Sequence, residues 1–434
     1  MSSPTVGVVG MGYVGLTLSA ALAARGFTVY GCDTQPSVVA ALARGRPHIY
    51  EPGVEEVFAR YAAERIFVGA TLPHTLDAAV ICVSTPVDET THRPALDNLA
   101  AAARQVAGWC EPDTLVVVRS TVPVGASHAV VLPALLDAWG AARLVMAPER
   151  TIQGQALREL VELPQVVGGL DAASLRAGLD LFAGLATTTV PVSSLEAAEL
   201  VKLANNCHTD LIYSYGNEIA LIAEGHGLDP LEVIHAANVD YPRPDLARPG
   251  YVGGGCLSKD PYLLLGSAGG HHPYLVDRAR ALNEHLPVHV ATRVVEMLRE
   301  QRGSTEGARL AVLGWAYKGW PPTDDMRGTP ITAMMPVFDA AGLTVLGHDP
   351  LVAPEVIARY GGEPVSLDKA FADADAVLIV IDHPDYRALP VDTVLAAGRP
   401  RLVYDSWRIL DEAAVTAHGV RYAGIGYDNR AVAS

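Results

Sequence analysis

The chain has 434 residues, which is long enough for roughly two or three packed domains. Half of the residues are apolar and 18% are charged, a balance that favours large buried cores and excludes bulk disorder. The formal net charge of −16 argues against general binding to nucleic acid, because phosphate backbones attract clustered lysine and arginine. We interpret this charge as a solubility feature, so an anionic substrate would need a locally positive pocket.

No segment predicts secretion or a membrane anchor. The N-terminal residues enter a strand almost at once, so we expect no signal peptide, and no apolar stretch reaches the ~20 residues of a membrane span. The five cysteines are Cys32, Cys82, Cys110, Cys207 and Cys256. Their wide spacing fits neither a disulfide framework nor a zinc site, so we expect no metal and a reducing cytoplasm, with room for one reactive thiol.

The N-terminal part alternates apolar strands with helical segments. Strands are expected at 5–10, 28–33, 79–83, 115–119 and 143–147, with a helix at 11–25. This alternation predicts a doubly wound parallel sheet. After a linker at 301–308, strands expected at 309–314, 342–349, 376–381 and 401–405 predict a second sheet of this kind.

Long helical segments lie between the two sheets. They are expected at 194–227, 230–237 and 274–302, and a loop rich in proline and glycine covers 241–256. The fold class is therefore α/β, with two doubly wound Rossmann-like domains joined by a central long-helix region. We expect the domains to span 1–193, 194–302 and 303–434, and the length of the central helices favours a homodimer.

The first predicted turn carries a dinucleotide-binding pattern. Gly10, Gly12 and Gly15 form G-x-G-x-x-G between a strand and a helix, where glycines permit a tight turn and close approach of a pyrophosphate. Asp33 ends the second strand, where a carboxylate binds ribose hydroxyls, and no arginine follows it to accept a 2′-phosphate. These features predict NAD rather than NADP, and the alternative is a tight turn without a ligand.

The segment 251–260, YVGGGCLSKD, predicts a nucleophile. Three glycines precede Cys256, and Lys259 and Asp260 follow within four residues. A cation favours the thiolate form of a cysteine, and a carboxylate transfers protons. The alternative is a glycine-rich turn around a buried cysteine.

Two lysines also predict binding functions, each with an ordinary alternative. Lys202 and Asn206 share one helix face and could stabilise an oxyanion, whereas Glu199 and Lys202 could equally form a surface pair. Lys318, in the first turn of the second sheet, could bind a second phosphate-bearing ligand or lie on the surface.

Together these segments resemble the UDP-glucose / UDP-N-acetylmannosamine 6-dehydrogenase family over nearly the whole chain. The motifs occur in family order: GMGYVGL (10–16), CVSTP (82–86), RSTVPVG (119–125), APER (147–150), ELVKLANN (199–206), GGGCLSKD (253–260) and GWAYKGWPPTDDMRGTP (314–330). The resemblance implies oxidation of the C6 alcohol of a nucleotide-linked hexose by two NAD⁺, through a thiohemiacetal and a thioester on Cys256.

The same resemblance implies roles for further residues. Catalytic roles fall on Lys202 and Asn206 for the oxyanion, Asp260 for proton transfer, and Glu149 with Thr121 for the hydrolytic water. Cofactor contacts fall on Gly10, Gly12, Tyr13, Val14, Gly15, Asp33, Ser84, Thr85, Thr121 and Arg327. Substrate contacts fall on Glu149, Arg150, Lys202, Asn206, Gly255, Lys318 and Arg243, the last supplied across a dimer.

The sequence leaves the sugar and the base open. Arg150 after Glu149 is similar to the N-acetylhexosamine branch, whereas Lys259 is similar to the glucose branch, and dTDP-glucose is a further candidate substrate. Trp407 stands where a substrate-contacting arginine is common, and Arg408 is a candidate to replace it. Two rival functions also stay open: a two-electron dehydrogenase of the hydroxyacid type, which would not need Cys256, and a nucleotide-sugar-binding protein without catalysis.

Overall fold

The computed structural model describes residues 3–88, 90–241, 245–271, 273–398 and 400–432. Arg243 lies outside the described residues, so its expected role is not addressed by the structure. The chain divides into two compact units, Met1–Asn206 with Tyr262–His272, and Cys207–Pro261 with Pro273–Ser434.

The first unit contains an eight-stranded sheet with the order β3-β2-β1-β4-β5-β6-β7-β8. The strands are β1 Thr5–Val9, β2 Thr28–Cys32, β3 Ile66–Gly69, β4 Ala78–Ile81, β5 Leu115–Val118, β6 Arg143–Met146, β7 Gln165–Gly169 and β8 Thr189–Val192. The helices are α1 Tyr13–Ala24, α2 Pro36–Leu42, α3 Val54–Tyr61, α4 Asp97–Trp109, α5 Leu132–Trp139, α6 Ala156–Glu162 and α7 Ala172–Ala183, with a π-helical turn at Ser127–Val131. All strand pairs are parallel except β6 with β7.

Four further helices follow along the chain. They are α8 Leu195–Gly225, α9 Pro230–Asn238, α10 Gly254–Leu257 and α11 Asp260–Gly266. The long α12, Tyr274–Arg302, has the bounds expected from the sequence.

The second unit contains a seven-stranded sheet with the order β11-β10-β9-β12-β13-β14-β15. Its strands are β9 Arg309–Leu313, β10 Thr344–His348, β11 Glu363–Pro364, β12 Ala376–Ile379, β13 Leu402–Asp405, β14 Arg421–Gly424 and β15 Tyr427–Asp428. Its helices are α13 Ile331–Ala340, α14 Pro354–Arg359, α15 Leu367–Ala372, α16 Pro384–Arg387, α17 Val391–Gly398, α18 Glu412–Ala417 and α19 Asn429–Val432. Among the described strands of this second sheet, only β14 and β15 pair antiparallel.

These sheets confirm the predicted fold class. Strands β4, β5 and β12 are buried along their whole length, which explains their continuous apolar sequences, because helices cover both faces of a parallel sheet. Strand β8 was not predicted, since it is a short strand at the sheet edge with two exposed residues and no apolar pattern. The domain boundaries at 193 and 302 stay predictions.

In both sheets the strand order reverses beside the first strand, between β1 and β4 and between β9 and β12. Ligands of open α/β sheets bind at the carboxyl ends of strands where the order reverses. The fold therefore places the turns at Gly10 and Gly314 at these two positions. No helix among the described residues has the length and apolar character that crossing a membrane requires.

Candidate active site

The glycine turn after β1 has the shape that a dinucleotide needs. Gly10 adopts a φ of +90°, and a Cβ on Gly15 would lie 1.9 Å from the carbonyl oxygen of Gly10. A Cβ on Gly12, by contrast, would meet nothing within 4 Å. Two glycines therefore serve packing, and Gly12 keeps open the space that a pyrophosphate would occupy at the start of α1. These residues fit an NAD cofactor.

Asp33 supports this turn. One of its carboxylate oxygens accepts a hydrogen bond from the backbone N–H of Met11 at 2.9 Å, and the other accepts one from Gln35 at 2.9 Å. Since each carboxylate oxygen has two lone pairs, both can still accept a ribose hydroxyl. Asp33 thus holds the turn in shape and fits the expected ribose contact.

Tyr13 and Val14 contact the protein's own residues. Val14 packs against the core of the first unit, so its side chain is directed away from open space. The Tyr13 hydroxyl donates to Glu51 at 2.7 Å, and the same carboxylate accepts N–H groups of Gly154 and Ala156. Burial raises the pKa of Tyr13 well above its usual range. A contact of Val14 with a cofactor would therefore use its backbone.

The loops after β4 and β5 are joined by hydrogen bonds at the same edge of the sheet. The buried Thr85 hydroxyl donates to the Thr121 carbonyl at 2.5 Å, and Ser120 donates to the Val83 carbonyl at 2.7 Å. Ser84 is exposed, and its hydroxyl accepts from Asn98 at 3.0 Å. This edge carries three of the expected cofactor contacts, Ser84, Thr85 and Thr121.

A buried ion pair, which the sequence did not predict, orients Glu149. The Arg119 guanidinium is fully buried and donates from Nε and Nη2 to Glu149 Oε2, at 3.1 and 2.7 Å. Its Nη1 donates to the Ala147 carbonyl and to Gln165, both at 3.1 Å. Glu149 Oε1 accepts the N–H groups of Arg150 and Thr151 at 2.8 and 2.9 Å. The carboxylate is therefore held in one orientation.

The surroundings of Glu149 favour its ionised form. Burial, the largest effect, opposes ionisation, but the Arg119 charge, the N–H of Thr151 and the charge of Lys202 together lower the pKa of Glu149 below its ordinary value. Glu149 and Lys202 thus interact within the first unit. Lys202 is buried, and Asn206 is half-buried one helical turn further along α8.

The alternative of a surface pair between Glu199 and Lys202 is wrong. Glu199 is fully buried, and its carboxylate accepts the N–H groups of Gly125 at 2.5 Å and Ser127 at 2.8 Å. The desolvation of this carboxylate raises the pKa of Glu199. Glu199 therefore fixes the loop that follows Thr121 to α8.

In the second unit, Cys256 lies on the short helix α10 and is exposed, whereas the other four cysteines are buried. The five cysteines form no disulfide. Burial raises the pKa of Cys32, Cys82 and Cys207 to about 12 and that of Cys110 to about 11. The alternative of a buried cysteine in the glycine-rich turn is therefore wrong.

The three glycines before Cys256 approach the protein's own segment 314–330. A Cβ on Gly253 would lie 2.2 Å from the Gly328 carbonyl oxygen, and one on Gly254 would lie 2.7 Å from the Tyr317 ring. A Cβ on Gly255 would lie 2.8 Å from Cζ of Arg327. The absence of a side chain at Gly255 therefore allows the Arg327 guanidinium to pack there, a contact that the sequence did not predict.

This packing places Arg327 beside the glycines that precede Cys256. Its guanidinium donates three hydrogen bonds to the Asp325 carboxylate, at 3.0, 3.1 and 2.7 Å, and interacts electrostatically with Cys256. Lys259, which the sequence suggested as the cation for the thiol, instead contacts the buried Asp260 at 2.8 Å. A cation near a thiol favours the thiolate, and Arg327 is the residue whose position suits this effect.

Lys318 and Arg408 are two candidate substrate-binding residues whose side chains have different surroundings. Lys318 is half-buried with its ammonium 5.5 Å from the centre of the Tyr317 ring, and its role in binding a phosphate-bearing ligand stays a prediction. The Arg408 guanidinium contacts Asp229 at 2.5 Å and lies 3.9 Å from the centre of the Tyr427 ring. Arg408 is therefore committed to internal contacts, and it is a poor replacement for a substrate-binding arginine.

Arg150 and Trp407 complete the expected residues. Arg150 is half-buried and donates to the Pro164 carbonyl at 3.3 Å. The Trp407 indole donates to the Val380 carbonyl at 2.8 Å and lies so close to Gly250 that a Cβ there would be 2.3 Å from the ring. No cluster of metal-ligating side chains occurs among the described residues.

Comparison with known proteins decides the family. The sequence matches the UDP-glucose/GDP-mannose dehydrogenase family in its NAD binding domain over residues 4–186, its central domain over 196–285 and its UDP binding domain over 311–412. The chain belongs to this family. It is an NAD-dependent nucleotide-sugar dehydrogenase, an oxidoreductase whose substrate is a nucleotide sugar.

Individual relatives agree with this assignment. The chain is 30% identical to a UDP-N-acetyl-D-mannosamine dehydrogenase of Pyrococcus horikoshii, over 97% of this chain and 99% of that protein. It is 30% identical to an NDP-N-acetyl-D-galactosaminuronic acid dehydrogenase of Ralstonia nicotianae, over 93% and 95%. Among solved structures, the UDP-glucose dehydrogenase of Pyrobaculum islandicum is 28% identical, covers 98% of both chains and gives a TM-score of 0.84.

Substitution of two glycines separates cofactor binding from folding. Gly12→Ala should weaken NAD⁺ binding roughly tenfold or more, since its methyl group would enter the open space at the turn, and should leave the melting temperature unchanged. Gly15→Ala should lower the free energy of unfolding by about 1–3 kcal/mol, because its Cβ would collide with backbone. Calorimetric titration and thermal unfolding test both, and equal effects of the two variants on both quantities would contradict the assignment.

Removal of Arg119 tests the buried ion pair. Arg119→Met should lower the free energy of unfolding by about 3–5 kcal/mol, because it leaves Glu149 buried without its partner. Arg119→Met combined with Glu149→Leu should recover most of this loss. Urea unfolding measures both variants, and a loss below about 1 kcal/mol in the single variant would show that water already compensates Glu149.

The lowered pKa of Glu149 fixes the sign with which folding stability depends on pH. Because the pKa of Glu149 is lowered in the folded protein, its stabilising contribution is present above the unfolded value of about 4.3 and is lost as pH falls through the folded value. Arg119→Met should remove this loss of unfolding free energy at low pH, which urea unfolding at a series of pH values would measure.

Proposed function

We propose that this enzyme oxidises the C6 alcohol of a nucleotide-diphospho-hexose to a carboxylate, through a thioester on Cys256. The observation that carries the proposal is the contrast among the cysteines, since Cys256 alone of the five is exposed and lies beside a guanidinium. A dehydrogenase that stops at an aldehyde or a ketone has no use for such a thiol. Covalent capture, by contrast, holds the aldehyde while the reduced cofactor is exchanged.

The proposed reaction consists of two oxidations at C6 and one hydrolysis. NAD⁺, when bound, accepts one hydride in each of the two oxidations, and the hydroxyl proton of the alcohol or of the thiohemiacetal is released to solvent. The C6 aldehyde from the first oxidation is attacked by the Cys256 sulfur, which forms a C–S bond and a thiohemiacetal. Loss of the second hydride from C6 gives the thioester. Water then adds to the thioester, the C–S bond breaks, and the uronic acid and the thiol are released.

We assign the remaining groups by charge and burial. Lys202 and Asn206 would donate hydrogen bonds to the oxygen on C6, and the ionised, fixed Glu149 with Thr121 would orient the hydrolytic water. The buried Asp260 would assist proton transfer. Asp33 and Gly12 would bind the cofactor, and Lys318 and Arg150 would bind the sugar nucleotide.

For the sugar, we propose a UDP-linked N-acetylhexosamine as the first candidate. The Pyrococcus horikoshii and Ralstonia nicotianae relatives are named for N-acetylated sugars, and Arg150 follows Glu149 as in the resembling N-acetylhexosamine branch. UDP-glucose is the second candidate, because the solved Pyrobaculum islandicum structure carries that name. We also propose a reducing cytoplasm as the location, because five cysteines form no disulfide.

The ratio of NADH to sugar tests the thioester. Limiting UDP-N-acetylmannosamine, UDP-N-acetylgalactosamine, UDP-N-acetylglucosamine, UDP-glucose and dTDP-glucose would each be consumed to completion, with NADH measured at 340 nm. We expect about two NADH for each sugar consumed. A ratio of one with the best substrate would refute the thioester and support a two-electron dehydrogenase, and no NADH with any sugar would refute the proposed substrate class.

Cys256→Ser should lower steady-state turnover by at least about a hundredfold, since an alkoxide leaving group is poorer than a thiolate. Cys207→Ser, which changes a buried cysteine, is the matched control and should keep its turnover. Rapid-mixing absorbance would show the first NADH without the second. Unchanged turnover of Cys256→Ser would exclude the nucleophile.

We also propose that the enzyme is a homodimer. Ile212, Tyr215 and Ile222 lie on one face of α8 and are 38%, 51% and 55% exposed. Apolar side chains repeated along one exposed helix face favour a protein partner, and a second copy of the chain is the simplest one.

Charges on this face should separate the two copies. Tyr215→Glu combined with Ile222→Glu should reduce the mass in light scattering from two chains to one, because two carboxylates would be desolvated in each half of the interface. Tyr274→Glu combined with Leu275→Glu, which changes two residues that are exposed at the start of α12, is the matched control for added charge. A mass of one chain for the unchanged protein would refute the dimer.

A further inference from the structure

A buried polar network in the second unit connects two long helices to the segment that carries Cys256. Arg280 and Asn283 lie on α12, Asp210 and Asn217 lie on α8, and all four are at most 2% exposed. Most groups of the network have a hydrogen-bond partner, as the cost of an unsatisfied buried charge requires. In the described part of the chain, Asp210 Oδ2 and Arg280 Nε have none, although Nε lies 3.3 Å from the Glu284 carboxylate. Several of these partners are backbone groups of the segment that carries Cys256.

At the start of the segment, Asn217 binds the backbone of Gly250 on both sides. Its amide nitrogen donates to the Gly250 carbonyl at 3.0 Å, and its amide oxygen accepts the Gly250 N–H at 2.8 Å. The same amide nitrogen donates to Asn283 at 2.9 Å. Asn283 in turn donates to the carboxylate of Asp210 at 2.9 Å. The Gly250 end of the segment is therefore tied to both helices.

At the other end, Arg280 reaches the residue next to the nucleophile. Its Nη1 donates to the Asp210 carboxylate at 2.7 Å and to the Leu257 carbonyl at 2.9 Å. Its Nη2 lies 3.5 Å from the Val252 carbonyl oxygen. One guanidinium thus contacts backbone on both sides of Cys256.

We infer that Arg280 is a positioning residue that holds the Cys256 thiol beside Arg327, an inference that rests on the proposed function of Cys256 as the nucleophile. The close approaches of Gly253 to Gly328 and of Gly254 to Tyr317 pack the segment against the 314–330 loop. Arg280 adds a hydrogen bond from α12 to the Leu257 carbonyl, and the Asp210 carboxylate keeps the guanidinium in place. A thiol displaced by about 1 Å would capture the aldehyde far less often.

Arg280→Lys is the informative variant. A lysine keeps a cation beside Asp210 but has no planar fork that could bind the carboxylate and the Leu257 carbonyl in a fixed geometry. Arg293→Met is the matched control, because Arg293 also lies on α12 and bridges to α8 through Glu224 at 2.7 Å, without a bond to the 250–257 segment. If Arg280→Lys does not fold, Arg280→Met combined with Asp210→Leu replaces it in both measurements, because this pair removes both buried charges.

The first measurement is the rate of iodoacetamide alkylation of the folded protein without substrates, with Cys256→Ser as the blank. The other four cysteines are buried, so the rate reports Cys256. Arg280→Lys should react about fivefold or more slowly, because the thiol loses its fixed place beside the Arg327 cation, and Arg293→Met should react at the unchanged rate. An unchanged or faster rate in Arg280→Lys, or equal slowing in Arg293→Met, would overturn the inference.

The second measurement uses the enzyme with its best nucleotide sugar. Arg280→Lys should lower kcat about tenfold or more and leave KM for the sugar and for NAD⁺ within about twofold, whereas a general structural defect would change all three. Equal kcat in Arg280→Lys and the unchanged enzyme would overturn the inference. If the unchanged enzyme produces no NADH, the proposed function fails, while the alkylation rates still decide the role of Arg280.

Discussion

The Gly10 carbonyl oxygen lies so close to Gly15 that residue 15 cannot carry a side chain, and this approach shapes the cofactor turn of the first unit. It brings the start of α1 directly against the end of β1, so that helical N–H groups face the site of the cofactor. The second unit repeats the principle in another form. There the backbone of Gly253 approaches Gly328, and the segment that carries Cys256 lies against the 314–330 loop.

The first turns of the two sheets share more than position. The N–H of Gly10 donates to the Cys32 carbonyl, and the N–H of Gly314 donates to the His348 carbonyl, both at 2.9 Å. Each turn is also held by an acidic residue after the second strand, Asp33 through Met11 and Asp349 through Trp315. The difference follows the turn, because α1 begins at Tyr13 whereas residues 314–330 form a loop. Only the first turn therefore offers a helix N-terminus to a dinucleotide.

Buried guanidinium groups fix the functional segments in both units. Arg119 orients Glu149 in the first unit, and Arg280 binds backbone around Cys256 in the second. Each arginine has a carboxylate partner and also donates to main-chain carbonyls. A hydrophobic residue would fill the same volume but could not fix the orientation of a loop. The loop with Glu149 follows β6, and the carboxyl ends of such strands are where open α/β sheets bind ligands.

The sequence by itself determined the fold class and the cofactor turn. Buried strands such as β5 carry continuous apolar residues, and the spacing of Gly10, Gly12 and Gly15 before α1 has one common structural meaning. The tertiary structure alone decided which residues hold the site. Arg119 meets Glu149 across 30 residues, and Arg280 meets Leu257 across 23. Local patterns cannot reveal such pairs, because a lone arginine looks the same in sequence whether it lies in solvent or in a core. For the same reason Glu199 read as half of a surface pair, although burial and the N–H groups of Gly125 and Ser127 give it a different role.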